Sequence, residues 1–280
     1  RYSSIVPAVV AFTTGLVIFN ISDDCPRGNY SKLKKTGEMP EVSAVASFRS
    51  GSLDFNTWIL FIQYACCFGV ELTMNNAAAL YFNEQFGQST EAAAAIASIF
   101  GWMNIFARPI GGFISDKSNS IGGMRGRLIW QTFCLVAEGI LIILFAHATN
   151  NLGTSIFVLI IFSILVQAAE GSTFGIVPYV NPPCTGSIAG IVGAGGNVGA
   201  VCFGLAFRQL PTSKEAFIVM GITVICSSIL SVCIAIQGHE GLLTGKERSN
   251  DSIAGVLTVP SQISNEEVGS AVEKHDDCPA

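Results

Sequence analysis

Seven apolar runs decide what this chain can fold into: about 3–21, 55–82, 92–115, 127–147, 153–178, 185–207 and 214–236. Each approaches or exceeds the ~20 residues that an α-helix needs to cross lipid. In the run 153–178 the only ionisable residue is Glu170. Inside lipid every backbone N–H and C=O must be satisfied within its own segment, so runs of this kind form helices. The fold class is all-α and membrane-spanning. Composition points the same way, with 50% of the 280 residues hydrophobic and 12% charged. The formal net charge of -5 comes mostly from ends and loops, which gives no support to nucleic acid as a partner; membrane lipid is the solvent.

The segments between the runs differ in charge. Residues 22–54 hold Arg27, Lys32, Lys34, Lys35 and Arg49, and 116–127 hold Lys117, Arg125 and Arg127, whereas 83–91 and 148–152 have no Lys or Arg. The positive-inside rule places the first two in the cytoplasm and the uncharged pair outside. The connection near 179–184 has no basic residue and that near 208–214 carries Arg208 and Lys214, which argues the other way. Strict alternation from the first three loops overrules them. The tail 237–280, rich in Ser, Gly and acidic residues, is then cytoplasmic and expected to be disordered. The glycosylation patterns at Asn29 and Asn250 would face the cytoplasm and stay unmodified.

Chemistry that would mark an enzyme is missing from the sequence. Cys66, Cys67, Cys134, Cys202, Cys226 and Cys233 lie in apolar runs and read as small hydrophobes. His147, His239 and His275 sit at a helix end or in the tail and form no zinc cluster. No nucleophile is paired with a base, so no catalytic residue, metal or cofactor is expected. A seven-helix receptor would fit the count, but its Asp-Arg-Tyr and Asn-Pro-x-x-Tyr signatures are not found. The chain starts at Arg1 without a methionine, shows no cleavable signal peptide and reads as a fragment.

One permanent cation, Arg108, lies inside the run 92–115. On a helix, spacings of three and four put Ala97, Gly101, Asn104, Arg108, Gly111, Gly112 and Ser115 on one side, with Phe100, Ile105, Phe106, Ile110 and Phe113 elsewhere. An arginine at membrane depth costs ~2.5–3.5 kcal/mol on insertion scales, so it faces the protein interior or a water-filled cavity. The alternative is a guanidinium that snorkels to the interface or pairs structurally with a carboxylate. Pro109 next to it can kink the helix and free backbone groups.

Two further stretches stand out. In "GIVGAGGNVGAVCFG", Gly190 to Gly204, the glycines permit close backbone approach, and Gly186, Gly190, Gly195 and Gly199 supply small-xxx-small spacing. Packing alone would explain them, but Asn197 carries hydrogen-bonding groups into the middle of a span. Tyr64, Phe68, Glu71 and Asn75 fall on one stripe of the run 55–82. Glu138 and Glu170 are further intramembrane carboxylates, read as structural partners or relay elements.

These residues carry a resemblance. "GGFISDKSNSIGGMRGR" is similar to the loop signature of the major facilitator superfamily, filled here by Gly112, Asp116, Lys117, Arg125 and Arg127 with a longer insert. "GAGGNVGA", including Gly193, Gly195, Gly196 and Gly199, resembles the second nitrate signature of the nitrate/nitrite porter family. "IFARPIGGFISD" is similar to that family's arginine-bearing eighth helix and "QYACCFGVELTMNN" to its seventh. The resemblance implies the C-terminal six-helix bundle of this fold plus one preceding transmembrane helix. On that reading 1–21 is the last helix of a first half not in this chain, and 22–54 is the cytoplasmic central loop. Residues 55–236 form the second bundle, and 237–280 the cytoplasmic tail. It further implies a plasma-membrane carrier that moves nitrate or nitrite by alternating access, coupled to protons or exchanging one anion for the other. Arg108 and Tyr64 would contact the anion, with Asn104 and Asn197 beside it, and Glu71 is a candidate for proton coupling. The partners implied are nitrate or nitrite, protons and the first half of the same protein, with an accessory membrane protein as an option. A carrier for phosphate or an organic anion is the rival within the superfamily.

Overall fold

The computed structural model describes residues 5–23, 29, 32, 35–36, 43–148 and 151–243. Arg27, Lys34, Asn250, His275 and residues 244–280 of the tail lie outside them. The chain divides into two units, Arg1–Arg49 and Ser50–Ala280. The first holds α1, Ile5–Ile21, an apolar helix of 17 residues. The boundary falls inside α2, Ala44–Leu53. Residues 22–54, read as a loop, thus contain a ten-residue helix.

The second unit is built from long helices: α3, Phe55–Phe86; α4, Thr90–His147; α5, Leu152–Val180; α6, Thr185–Gln209; and α7, Ser213–Ile229. One-turn 3₁₀ segments, Pro182–Cys184 and Leu230–Cys233, precede α6 and follow α7. Five stretches of this unit are long and apolar enough to cross a membrane. α4 accounts for two of the sequence's runs. Its 58 residues would extend about 87 Å if straight, against a hydrocarbon core of ~30 Å. The break is at Gly122 and Gly123, where the backbone leaves helical geometry. Gly123 has φ 56° and ψ -154°, a region essentially confined to glycine. The chain turns back there, and Trp130 Nε1 donates to the Gly111 carbonyl at 3.1 Å, tying the arms 90–121 and 124–147 together. The connection expected over 116–127 is therefore almost wholly helical, because two glycines suffice for the reversal.

Capping fixes the other boundaries. Asp54, Ser89, Asn151 and Thr212 each accept a backbone N–H of the first turn of α3, α4, α5 and α7. α3 stops at Gly87, whose φ of 63° is left-handed.

The helices meet through small residues. An added Cβ at Gly171 of α5 would strike the Arg108 carbonyl and come within 3.0 Å of the Gly112 nitrogen. Gly139 of α4 and Gly221 of α7 face each other in the same way, 2.6–2.7 Å from one another's carbonyl by the same construction. Such contacts give intramembrane helices the packing that water cannot drive. Gln131 Nε2 donates to Thr173 Oγ1 at 2.7 Å and Gln63 Nε2 to Ser231 Oγ at 2.8 Å, linking α4 to α5 and α3 to the 3₁₀ segment that follows α7. At one end Tyr81, Phe82, Phe145, Phe162 and Phe217 interlock as an aromatic core. Ile105, Phe106, Ile110 and Phe113 point outward as the spacing predicts, but Phe100 is fully buried against Phe162, and Gly101 is exposed instead. The aromatic core claims Phe100 despite its register.

Candidate functional site

Arg108 is half-buried and lies between two carboxylates. Its Nη2 donates to Glu71 Oε2 of α3 at 2.9 Å and also to Glu170 Oε2 of α5. Asn104, one helical turn before Arg108, donates Nδ2 to the other Glu71 oxygen at 2.7 Å. Two of the open readings therefore meet at one residue: the guanidinium pairs with carboxylates, and its side chain still keeps 35% of its exposure. Glu170 is buried completely, and its Oε1, like Arg108 Nε, has no hydrogen-bond partner among the described residues. Arg108 Nη1 makes no hydrogen bond to the described residues either.

Local sequence explains the meeting. α4 and α5 form the most extensive helix pair of the unit, and their backbones close up where Gly111 faces Ala168 and Gly171 faces Arg108. Glu170 precedes Gly171, so that close approach delivers its carboxyl to the guanidinium. Gln167 Nε2 donates to the Phe100 carbonyl at 2.8 Å on the same seam.

Aromatic rings line the next layer. The Arg108 guanidinium carbon lies 5.5 Å from the centre of the Phe68 ring, within cation–π range. Tyr64 stacks on Phe68 at 5.3 Å and meets Phe174 edge-on at 5.1 Å. Tyr64 is thus buried one ring away from Arg108 and makes no hydrogen bond to it.

The glycine-rich segment divides in two. Gly195, Gly196 and Gly199 press on α3, where an added Cβ would meet Phe61, Phe68 and Ala65 respectively. Gly186, Gly190 and Gly193 face open space, with nothing within 4 Å of such a Cβ. The small-xxx-small series Gly186, Gly190, Gly195 and Gly199 is therefore one packing seam only at its C-terminal end. Asn197 is exposed and makes no hydrogen bond among the described residues, and Asn75 is exposed too. The hydrogen-bonding groups that Asn197 carries into the span thus find no partner among the described residues of this unit.

The loop signature forms its own cluster at the α4 break. Arg127 is buried, pairs with Asp116 at 2.7 Å, donates Nη1 to Ser115 Oγ at 3.2 Å and lies over the Tyr179 ring at 5.2 Å. Arg125 pairs with Glu240 at 3.2 Å, and His239 meets Tyr179 edge-on at 5.3 Å. Gly112 is half-buried and Lys117 exposed. Within 237–243, expected to begin a disordered tail, His239 and Glu240 reach this cluster, and Ile234 and Ile236 are buried just before them.

Sequence reading missed Glu170 as the partner of Arg108 and missed the Tyr179 and Glu240 contacts. For Glu170 a signal existed: Ala168, Gly171 and Gly175 give one face of α5 the small residues of a tight seam. For Glu240 none did.

The family model described as Major Facilitator Superfamily matches residues 1–204. The chain belongs to the major facilitator superfamily. It is an integral, multi-pass membrane protein. "High-affinity nitrate transporter 2.3" of Oryza sativa subsp. japonica is 35% identical over 250 residues, 89% of this chain and 48% of that protein. "Nitrate transporter 2.1" of Chlamydomonas reinhardtii is 38% identical over 255 residues, covering 88% of this chain and 46% of its own length. "Nitrate/nitrite transporter NrtP" of a Picosynechococcus species is 39% identical over 145 residues, 52% of this chain and 26% of that protein. This facilitator chain spans about half the length of the first two.

Proposed function

We propose that this facilitator carries nitrate, and nitrite as a close analogue, across the plasma membrane by alternating access, driven by protons. The observation that carries the reading is Arg108: a guanidinium within the span, partly accessible, beside Asn104 and an aromatic layer. Nitrate is flat and singly charged, and the guanidinium is flat with paired donors, a match that a lysine point charge cannot reproduce. The names of the relatives support the same substrate.

On this reading Tyr64 and Phe68 shape the cavity wall, and Asn197, exposed beside Gly196, reaches the anion from the glycine-rich helix as the site closes. Gly193 and its exposed neighbours serve a seam with a first six-helix half. Residues 55–236 are the second bundle, 1–21 the last helix of the first, and 22–54 the central loop. The Arg125 and Arg127 cluster, and with it the tail, is cytoplasmic. Moving an anion into a negative cell costs ~2.3 kcal/mol per charge per 100 mV, so uptake needs co-transported cations. Glu71, bonded to both Arg108 and Asn104, is the side chain we assign to proton coupling.

Uptake of labelled nitrate by the full-length protein, challenged in turn with nitrite, chlorate and phosphate, tests the substrate. Nitrite and chlorate are expected to compete and phosphate to have no effect. Strong competition by phosphate with none by chlorate would move the protein to a different anion class.

A further inference from the structure

We propose that Glu170 and Glu71 occupy the anion's place on Arg108 in the empty transporter, and that the pair takes up a proton when the anion enters. The proposal rests on the anion reading above and adds to it the group that nitrate must displace and the consequence of displacing it.

The geometry is specific to one nitrogen. A guanidinium grips a planar oxyanion through one of two donor pairs, Nη1 with Nη2 or Nε with Nη2. Nη2 belongs to both pairs, and both carboxylates are bonded to it. Nη1 stays unbonded among the described residues, and Nε is buried without a partner. An anion can therefore touch Arg108 through Nη1 alone, but it cannot take either bidentate edge until Nη2 is released.

Releasing Nη2 leaves carboxyls without their cation. Glu170 is fully buried, and its second oxygen already lacks a partner. Glu71 keeps Asn104. The titratable or charged groups facing the pair are Tyr64 and Cys67 of α3, Arg108 on the first arm of α4 and Glu138 on the second. None of these except Arg108 can supply positive charge. Glu138 is itself a buried carboxyl with both oxygens unpartnered. With Arg108 bound to nitrate, an ionised pair would be excess negative charge in a low-dielectric interior, where an unpaired charge is costly. Proton uptake from solvent restores the local charge of the empty site. The two carboxyls share one cation and one neighbourhood, so the proton belongs to the pair rather than to either residue.

The test measures nitrate binding to the purified full-length protein, with protons counted by titration calorimetry in buffers of different ionisation enthalpy. The unmodified protein is expected to take up about one proton per nitrate, and its affinity to rise roughly tenfold for each unit the pH falls in the window where the pair titrates. Glu170→Gln should remove most of that dependence and bind nitrate more tightly at alkaline pH, because a neutral amide holds Nη2 less firmly. Glu71→Gln is measured alongside, and thermal unfolding of each variant checks that it is folded. If Glu170→Gln does not fold, Glu71→Gln carries the same expectation. Nitrate binding with no proton uptake, or with the same pH slope in both variants as in the unmodified protein, overturns the competition. No nitrate binding at any pH overturns the anion reading itself.

Discussion

At the scale of single residues, Arg108 has two tasks that different substitutions separate. Arg108→Lys keeps a cation between Glu71 and Glu170 and so keeps the fold, but it replaces a fork of paired donors by a compact ammonium. Arg108→Ala instead strands both acids, one of them fully buried, and removing one partner of a buried pair is strongly destabilising. We expect the lysine variant to reach the membrane at normal levels while nitrate uptake falls severely, and the alanine variant to lose both level and uptake. Surface labelling together with initial uptake rates makes the comparison. Near-normal apparent nitrate affinity in Arg108→Lys would show that Arg108 does not hold substrate. Arg108 was legible in the sequence because a permanent charge in an apolar run demands an explanation. Glu170 was legible as an intramembrane carboxylate but not as the partner of Arg108, because only the approach of α4 brings the two together.

At the scale of elements, the glycine-rich helix α6 makes two different uses of one residue type. Gly199 lies on the Ala65 backbone, whereas Gly193 has nothing within 4 Å of a Cβ placed there. Gly199→Ala must push α3 away, and overpacking of this kind costs about 1–3 kcal/mol. Gly193→Ala meets no atom and gains helix propensity, so it should leave the stability of the 280-residue chain unchanged or raise it by up to ~1 kcal/mol. Unfolding of both variants in the same detergent checks the contrast, and equal destabilisation would mean that α6 packs in a different register. The membrane-length helices were readable, since lipid-length apolar runs leave helices as the only solution, whereas α2, Ala44–Leu53, lay in a segment read as a loop. The boundaries were less readable. α4 continues through 116–121 because Lys117, Ser118 and Ser120 are compatible with helix even though they end the apolar run, and only Gly122 and Gly123 break it. The spacing argument for the Arg108 face also failed at Phe100, where a ring-on-ring contact with Phe162 outweighed register.

At the scale of the whole molecule, this chain spans about half the length of its relatives, and the mechanism proposed for it needs two bundles that rock against each other around one site. The second unit has what an independent bundle needs: its own aromatic core, helix seams at Gly111, Gly139 and Gly171, and a reversal fixed at Gly123. Expressed as these 280 residues it should therefore insert and fold in a membrane. It should nevertheless fail to transport, because Asn197 and the open glycines Gly186, Gly190 and Gly193 present an unfilled face, and one arginine supplies only part of the donors that a desolvated anion requires. The measurement is nitrate uptake in a host without porters of its own, with the 280-residue chain alone and then with a matching first half co-expressed. Uptake is expected only in the second case, since a folded bundle can dock through a preformed face. Robust uptake by the chain alone would replace the two-half mechanism with a self-assembled pair of identical bundles, each lending its Arg108 to a shared site.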